Sequence, residues 1–221
     1  MDRHDNPPPE ADLEADEVAL PPGKLYRLAW FFYLALAVGG VVWIGAREGT
    51  IPLSLFVDPS GWWLDLLLGL AAGLGLIGIW RALTRWIPSG RQLERRLARV
   101  LGRLEPAEVV ALTVLSGFGE ELFFRGAMQG SWGLPAATIV FAVLHSGPGK
   151  EYRVWTLFAT LAGALFGLLM LWRGNLLAPV VAHMVVNGVN LSRLEGLAQL
   201  DPDADDPDKT DPDGNDPPAP G

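Results

Sequence analysis

Long apolar runs broken by short polar clusters dominate this chain of 221 residues. A helix needs about 20 apolar residues to cross the hydrocarbon layer of a bilayer, with a range of roughly 17–25. Leu25–Ala46, Trp62–Trp80 and Val154–Trp172 meet that length directly, and Ala107–Gln129 meets it if its charges are sheltered. Pro135–His145 and Asn175–Leu191 are shorter or more polar, but they lie between accepted spans and are too apolar for exposed loops. The pattern predicts an all-α, polytopic membrane helical bundle of about six transmembrane helices.

Between the second and third spans the periodicity changes. Leu93, Leu97, Val100, Leu101 and Leu104 recur at helical spacing with arginines on the other faces, the pattern of an amphipathic helix lying along a membrane surface. The same loop, Arg81–Glu105, holds seven arginines (81, 85, 91, 95, 96, 99 and 103) against two glutamates, which places it in the cytoplasm by the positive-inside rule. With an even number of spans, both termini are then expected on the cytoplasmic side. A basic stretch of this kind serves topology or anionic lipid more readily than substrate binding.

Composition supports the membrane reading, because half of the residues are hydrophobic and nine are tryptophan. The acidic residues behind the net charge of −8 gather mostly in the ends. Residues 1–23 and 195–221, rich in Asp, Pro and Glu, are expected to be disordered acidic tails around a membrane domain at 24–194. Cysteine is absent, which removes disulfides, thiolate nucleophiles and cysteine metal sites together. The first apolar run follows a tail too acidic, and is itself too long, for a signal peptide, so it is expected to remain as an anchor.

Against this apolar frame the ionisable residues stand out, since a charged side chain at the centre of a membrane helix is penalised by roughly 2.5–3.5 kcal/mol on insertion scales. Three clusters fall on three different spans: EELFFR at Glu120–Arg125, FAVLH at Phe141–His145 and HMVVN at His183–Asn187. Residues four apart share a helix face. Arg125 can therefore neutralise Glu121, leaving Glu120 for chemistry, while Asn187 stands beside His183. If the chain turns near 131–134, Glu120 and His145 each lie about eleven residues from the turn, roughly 16 Å at the helical rise. His183 and Asn187 come out at a comparable depth, roughly 12–18 Å from the same side. Asp65, beside Trp62 and Trp63, is expected to reach the membrane interface.

A glutamate and a histidine sharing a water can remove its proton, and a second imidazole with an asparagine amide can stabilise the oxyanion formed when that water attacks an amide carbonyl. The chain has no HExxH, no GxSG elbow and no pair of membrane aspartates, so other intramembrane hydrolase designs are missing. The ordered set EExxxR, FxxxH and HxxxN, followed over about 107–191, resembles the CPBP family of intramembrane proteases, which includes Rce1-type CAAX prenyl proteases and bacterial Abi proteins. The resemblance implies that Glu120 and His145 activate water, that His183 and Asn187 form the oxyanion site, and that Glu121 and Arg125 hold the arrangement. It also implies a membrane-associated peptide or protein substrate; a bacterial inner-membrane location is expected from the family's compact form and an Arg/Ala/Gly-rich composition, and no nucleic-acid partner is expected. Glu120, His145 and His183 could in principle form a His₂Glu zinc set, but the reading favours no metal and no cofactor. Two other classes compete with a protease: a proton-coupled transporter, which uses the same residue types, and a non-catalytic immunity or binding protein of the same fold.

Overall fold

The computed structural model describes residues 24–200. The N-terminal acidic tail and residues 201–221 of the C-terminal one lie outside them. Among the described residues every regular element is helical: α1 (Lys24–Glu48), α2 (Trp62–Trp86), α3 (Pro88–Leu101), α4 (Pro106–Glu121), a π-helical continuation (Leu122–Gln129), α5 (Gly130–Leu144), α6 (Tyr152–Arg173) and α7 (Leu177–Leu200), with one 3₁₀ turn at Leu53–Leu55. Among the described residues four helical stretches are long and apolar enough to cross a membrane: 25–48, 62–86, 106–144 and 152–173. The chain is a multi-pass membrane protein, and large apolar side chains such as Phe31, Val42, Leu74, Leu161 and Leu171 accordingly face outward.

The long stretch 106–144 is a hairpin. Its first arm starts where Pro106 takes the first helical position and Glu105 and Glu108 cap each other's backbone, with Glu105 N donating to Glu108 Oε2 at 2.9 Å. It ends at Gly133, whose φ of 81° and ψ of 169° lie outside the helical region. Only glycine adopts such a conformation without strain. The return arm brings Phe141 within 5.1 Å of Phe124, ring to ring, across the fold. At the bend, the Arg47 guanidinium of α1 donates to the carbonyls of Gly126 at 3.1 Å and Ala127 at 2.7 Å, and to Ser131 Oγ at 2.9 Å. It supplies partners where the regular ladder is interrupted.

α7 runs through the middle, against α2, α4 and α6. A Cβ on Gly69 would lie 2.7 Å from the Ala178 carbonyl oxygen, and one on Gly73 would lie 2.8 Å from Val185 Cβ. This small-xxx-small pair lets α2 and α7 approach closely, which is how packing replaces the hydrophobic effect within lipid. The largest core cluster joins Trp80 of α2, Leu93 of α3, Phe158 and Phe166 of α6, and Ala182 of α7.

Three sequence expectations are corrected here. Asp65, expected to reach the interface, has its side chain enclosed by protein: it is fully buried, ion-paired with Arg173 Nε and accepting a hydrogen bond from Asn175 Nδ2 at 2.9 Å. The amphipathic α3 turns its apolar face onto the bundle, with Leu93 at 0% exposure, while its Glu94 accepts from Trp80 Nε1 at 3.0 Å and from Arg193 at 3.1 Å. α7 continues past Leu191 to Leu200, through residues 195–200 that composition assigns to the acidic tail.

Candidate active site

α4 delivers Glu120 and Glu121 at its end, just before the helix widens into its π-helical turns, a feature that often accompanies functional sites. One turn on, Arg125 is buried, with Nη1 3.3 Å from Glu121 Oε1 and Nη2 donating to the Gly163 carbonyl at 3.1 Å. Its guanidinium lies 4.6 Å from the ring centre of Phe141, 5.5 Å from Phe166 and 5.9 Å from Phe124. Ring faces attract a desolvated cation. Gln129, four residues later, donates to the Gly167 carbonyl at 2.9 Å. Two side chains one turn apart thus grip two carbonyls one turn apart on α6. Glycine makes the grip fit: a Cβ on Gly167 would lie 2.5 Å from Gln129 Oε1 and 2.2 Å from Leu134 Cδ1.

Glu121 also faces His183 of α7, with Oε1 2.7 Å from Nδ1. Since Arg125 keeps this carboxylate an acceptor, Nδ1 is the donor and Nε2 is turned to Glu120. His145 sits at the C-terminal cap of α5, its ring stacked on Phe141 at 4.3 Å. Its Nδ1 lies 2.8 Å from the Phe141 carbonyl, which can only accept, so this nitrogen too carries a proton. The Nε2 atoms of His145 and His183 then lie 3.9 Å and 4.0 Å from one and the same oxygen, Glu120 Oε2. No described protein group hydrogen-bonds that buried oxygen. Both gaps are too long for a direct hydrogen bond. A solvent oxygen about 2.8 Å from each end of such a gap would subtend about 90°, so the spacing suits one shared water.

The side chain of His145 is 22% exposed, against 7% for Glu120 and 5% for His183, so the cluster opens outward past the His145 ring. Asn187 lies one turn beyond His183 and donates through Nδ2 to Ser116 Oγ at 2.8 Å. Six of the seven motif residues therefore meet where α4, the π-helical segment, α5 and α7 come together, and Asn187 lies one turn away against Ser116. A cleft of about 570 Å³ beside α4 and α7, lined among others by Arg81, Thr113, Gly188 and Arg193, adjoins this region without including Glu120 or either histidine.

Residues 103–189, which contain the whole cluster, match the family model described as type II CAAX prenyl endopeptidase Rce1-like. Over this segment the chain is similar to the Rce1-like family. It is also similar to the uncharacterized protein YpbD of Bacillus subtilis (strain 168), with 32% identity over 111 residues, 49% of this chain and 57% of that relative. The chain thus spans little more than half the length of that relative. No solved structure matches. The Rce1-like segment covers α4 to the first half of α7, so Arg47 and the α2 glycines Gly69 and Gly73 lie outside it. Two groups near the cluster escape the motifs: Ser116, and Tyr33 of α1, which lies within electrostatic reach of Glu120. Ser116 has a sequence signal, since it precedes Glu120 by four residues and so shares its face. Tyr33 has none.

Proposed function

We propose that this chain is an intramembrane endopeptidase that hydrolyses a peptide bond of a membrane-associated protein or peptide with a water activated by Glu120 and His145. The observation that carries the reading is the convergence of two imidazole Nε2 atoms, at 3.9 Å and 4.0 Å, on a buried Glu120 oxygen that no described protein group hydrogen-bonds. Buried polar groups without partners are rare, and a ligand or substrate is a common reason for one. The family supports an activity of this class.

In the proposed reaction Glu120 takes a proton from the water as its oxygen attacks the carbonyl carbon, and His145 holds that water in line. Negative charge then develops on the carbonyl oxygen, where His183 Nε2–H and Asn187 Nδ2–H stabilise it. In this scheme Glu121 holds the His183 ring through Nδ1, and Nε2–H is the donor turned to the oxyanion. When the tetrahedral intermediate collapses, the proton on Glu120 passes to the departing amine. Arg125 and Glu121 touch no reacting atom in this scheme; they fix His183.

The site is proposed to work without a metal. Tetrahedral zinc bonds of about 2.0–2.1 Å put neighbouring ligand atoms roughly 3.3–3.4 Å apart. Both observed separations from Glu120 Oε2, 3.9 Å and 4.0 Å, are wider. The arginines of the α2–α3 region are proposed to lie in the cytoplasm, with both termini on that side and the protein in a bacterial inner membrane.

The test is cleavage of a quenched-peptide library by the detergent-purified chain. The parent is expected to cleave members of the library, and Glu120→Ala and His145→Ala to lose at least about a hundredfold of that rate. Variants that cleave as well as the parent would sink the proposal.

A further inference from the structure

Asn187 has two chemically opposite ends, and which end faces the site decides whether it helps or opposes an oxyanion. Its Nδ2 donates to Ser116 Oγ at 2.8 Å. Ser116 is 2% exposed, and its Oγ lies 3.4 Å from the Thr113 carbonyl, which can only accept. With the hydroxyl proton turned to that carbonyl, Oγ presents lone pairs to Asn187 and favours the N–H₂ end of the amide over the Oδ1 end. Ser116 stands one turn before Glu120 on the same face of α4, so the nitrogen end of Asn187 is turned toward the wall that carries the carboxylates.

We infer that Ser116 is a positioning residue, which fixes the Asn187 amide with its second N–H free for the developing oxyanion. The role rests on the hydrolase reading above. Without the hydroxyl the amide can rotate by half a turn, and Oδ1, an acceptor, would then face the negative charge that the site must stabilise. The direction of the effect follows from chemistry alone: a hydroxyl whose proton is engaged reads one orientation of an amide, and a methyl reads neither.

The test is a double-mutant cycle on a quenched peptide that the parent cleaves. Removing one oxyanion donor costs about 10²–10³ in kcat, so losing only its orientation in Ser116→Ala is expected to cost roughly tenfold in kcat. KM is expected to stay within about twofold. In an Asn187→Ala background the same change is expected to have no further effect, because Ser116 acts through Asn187. Effects that multiply, or that fall on KM alone, overturn the proposal. A second readout does not need catalysis. In chains labelled with ¹⁵N-asparagine, the Asn187 side-chain N–H₂ pair, assigned by its loss in Asn187→Ala, is expected to shift and exchange faster in Ser116→Ala. An unchanged pair overturns the proposal. If the parent cleaves no peptide, the hydrolase reading fails and this spectrum alone judges the orientation of Asn187.

Discussion

Replacing Arg125 by methionine keeps most of its volume and removes its charge, which isolates the electrostatic part of its role. In the parent the guanidinium is 3.3 Å from Glu121, donates to the Gly163 carbonyl at 3.1 Å and lies 4.6 Å from the centre of the Phe141 ring. Glu121 is fully buried, so after the change its carboxylate keeps His183 as its hydrogen-bond partner and loses its permanent countercharge. Removing one partner of a buried pair typically costs about 3–5 kcal/mol, because the remaining charge is left uncompensated. The lost cation–π contact adds up to about 2 kcal/mol when desolvated. For a chain of this size each kcal/mol is roughly 2–4 °C in Tm, so a drop of about 6 °C or more is expected in a thermal melt followed by near-ultraviolet circular dichroism. A second variant separates charge from shape: adding Glu121→Gln to Arg125→Met removes the stranded carboxylate and is expected to recover part of the loss. The reasoning is refuted if Arg125→Met melts within about 1 °C of the parent, or if the second substitution deepens the loss by its own full amount.

Other consequences are less elaborate. Gly73→Ala pushes a Cβ to 2.8 Å from Val185 Cβ, so it is expected to lower stability by about 1–3 kcal/mol, read as a lower Tm, whereas Gly75→Ala, with nothing within 4 Å, is expected to be near neutral. Asp65→Asn leaves Arg173 without its carboxylate beneath the α6–α7 turn and is expected to lower Tm by several degrees, with limited proteolysis locating new cleavage near residue 174. Cleavage by the purified chain is expected to persist in EDTA and in 1,10-phenanthroline; loss of activity that zinc restores would contradict the metal-free mechanism.

The three motifs are legible in the sequence because each rests on a four-residue spacing, and a helix converts that spacing into a shared face without help from the rest of the fold. The bend at 131–134 is legible for a similar local reason, a glycine pair around Ser131 and Trp132. Long-range partners are different. Nothing within a few residues of Asp65 announces Arg173 or Asn175, so neighbouring tryptophans point to the interface while the actual partners lie more than a hundred residues away. The apolar side of α3 reads the same whether it meets lipid or protein, and the structure turns Leu93 onto Trp80 and Phe158 rather than into a bilayer. The end of α7 is obscured by composition, since an acidic tail follows directly on Leu194, Leu197 and Ala198, which continue the helical pattern. The π-helical widening after Glu121 leaves no pattern that apolar spacing could reveal.

The claim on which this account stands is that Glu120 and the two imidazoles hold one solvent molecule inside the membrane domain. An experimental density map at a resolution that shows ordered water tests it directly. The account predicts a single water within about 3.2 Å of Glu120 Oε2 and of at least one of the two Nε2 atoms. A cluster in which Glu120 and His145 are drawn apart beyond the reach of one water, or in which an acyl chain fills the gap, would contradict it.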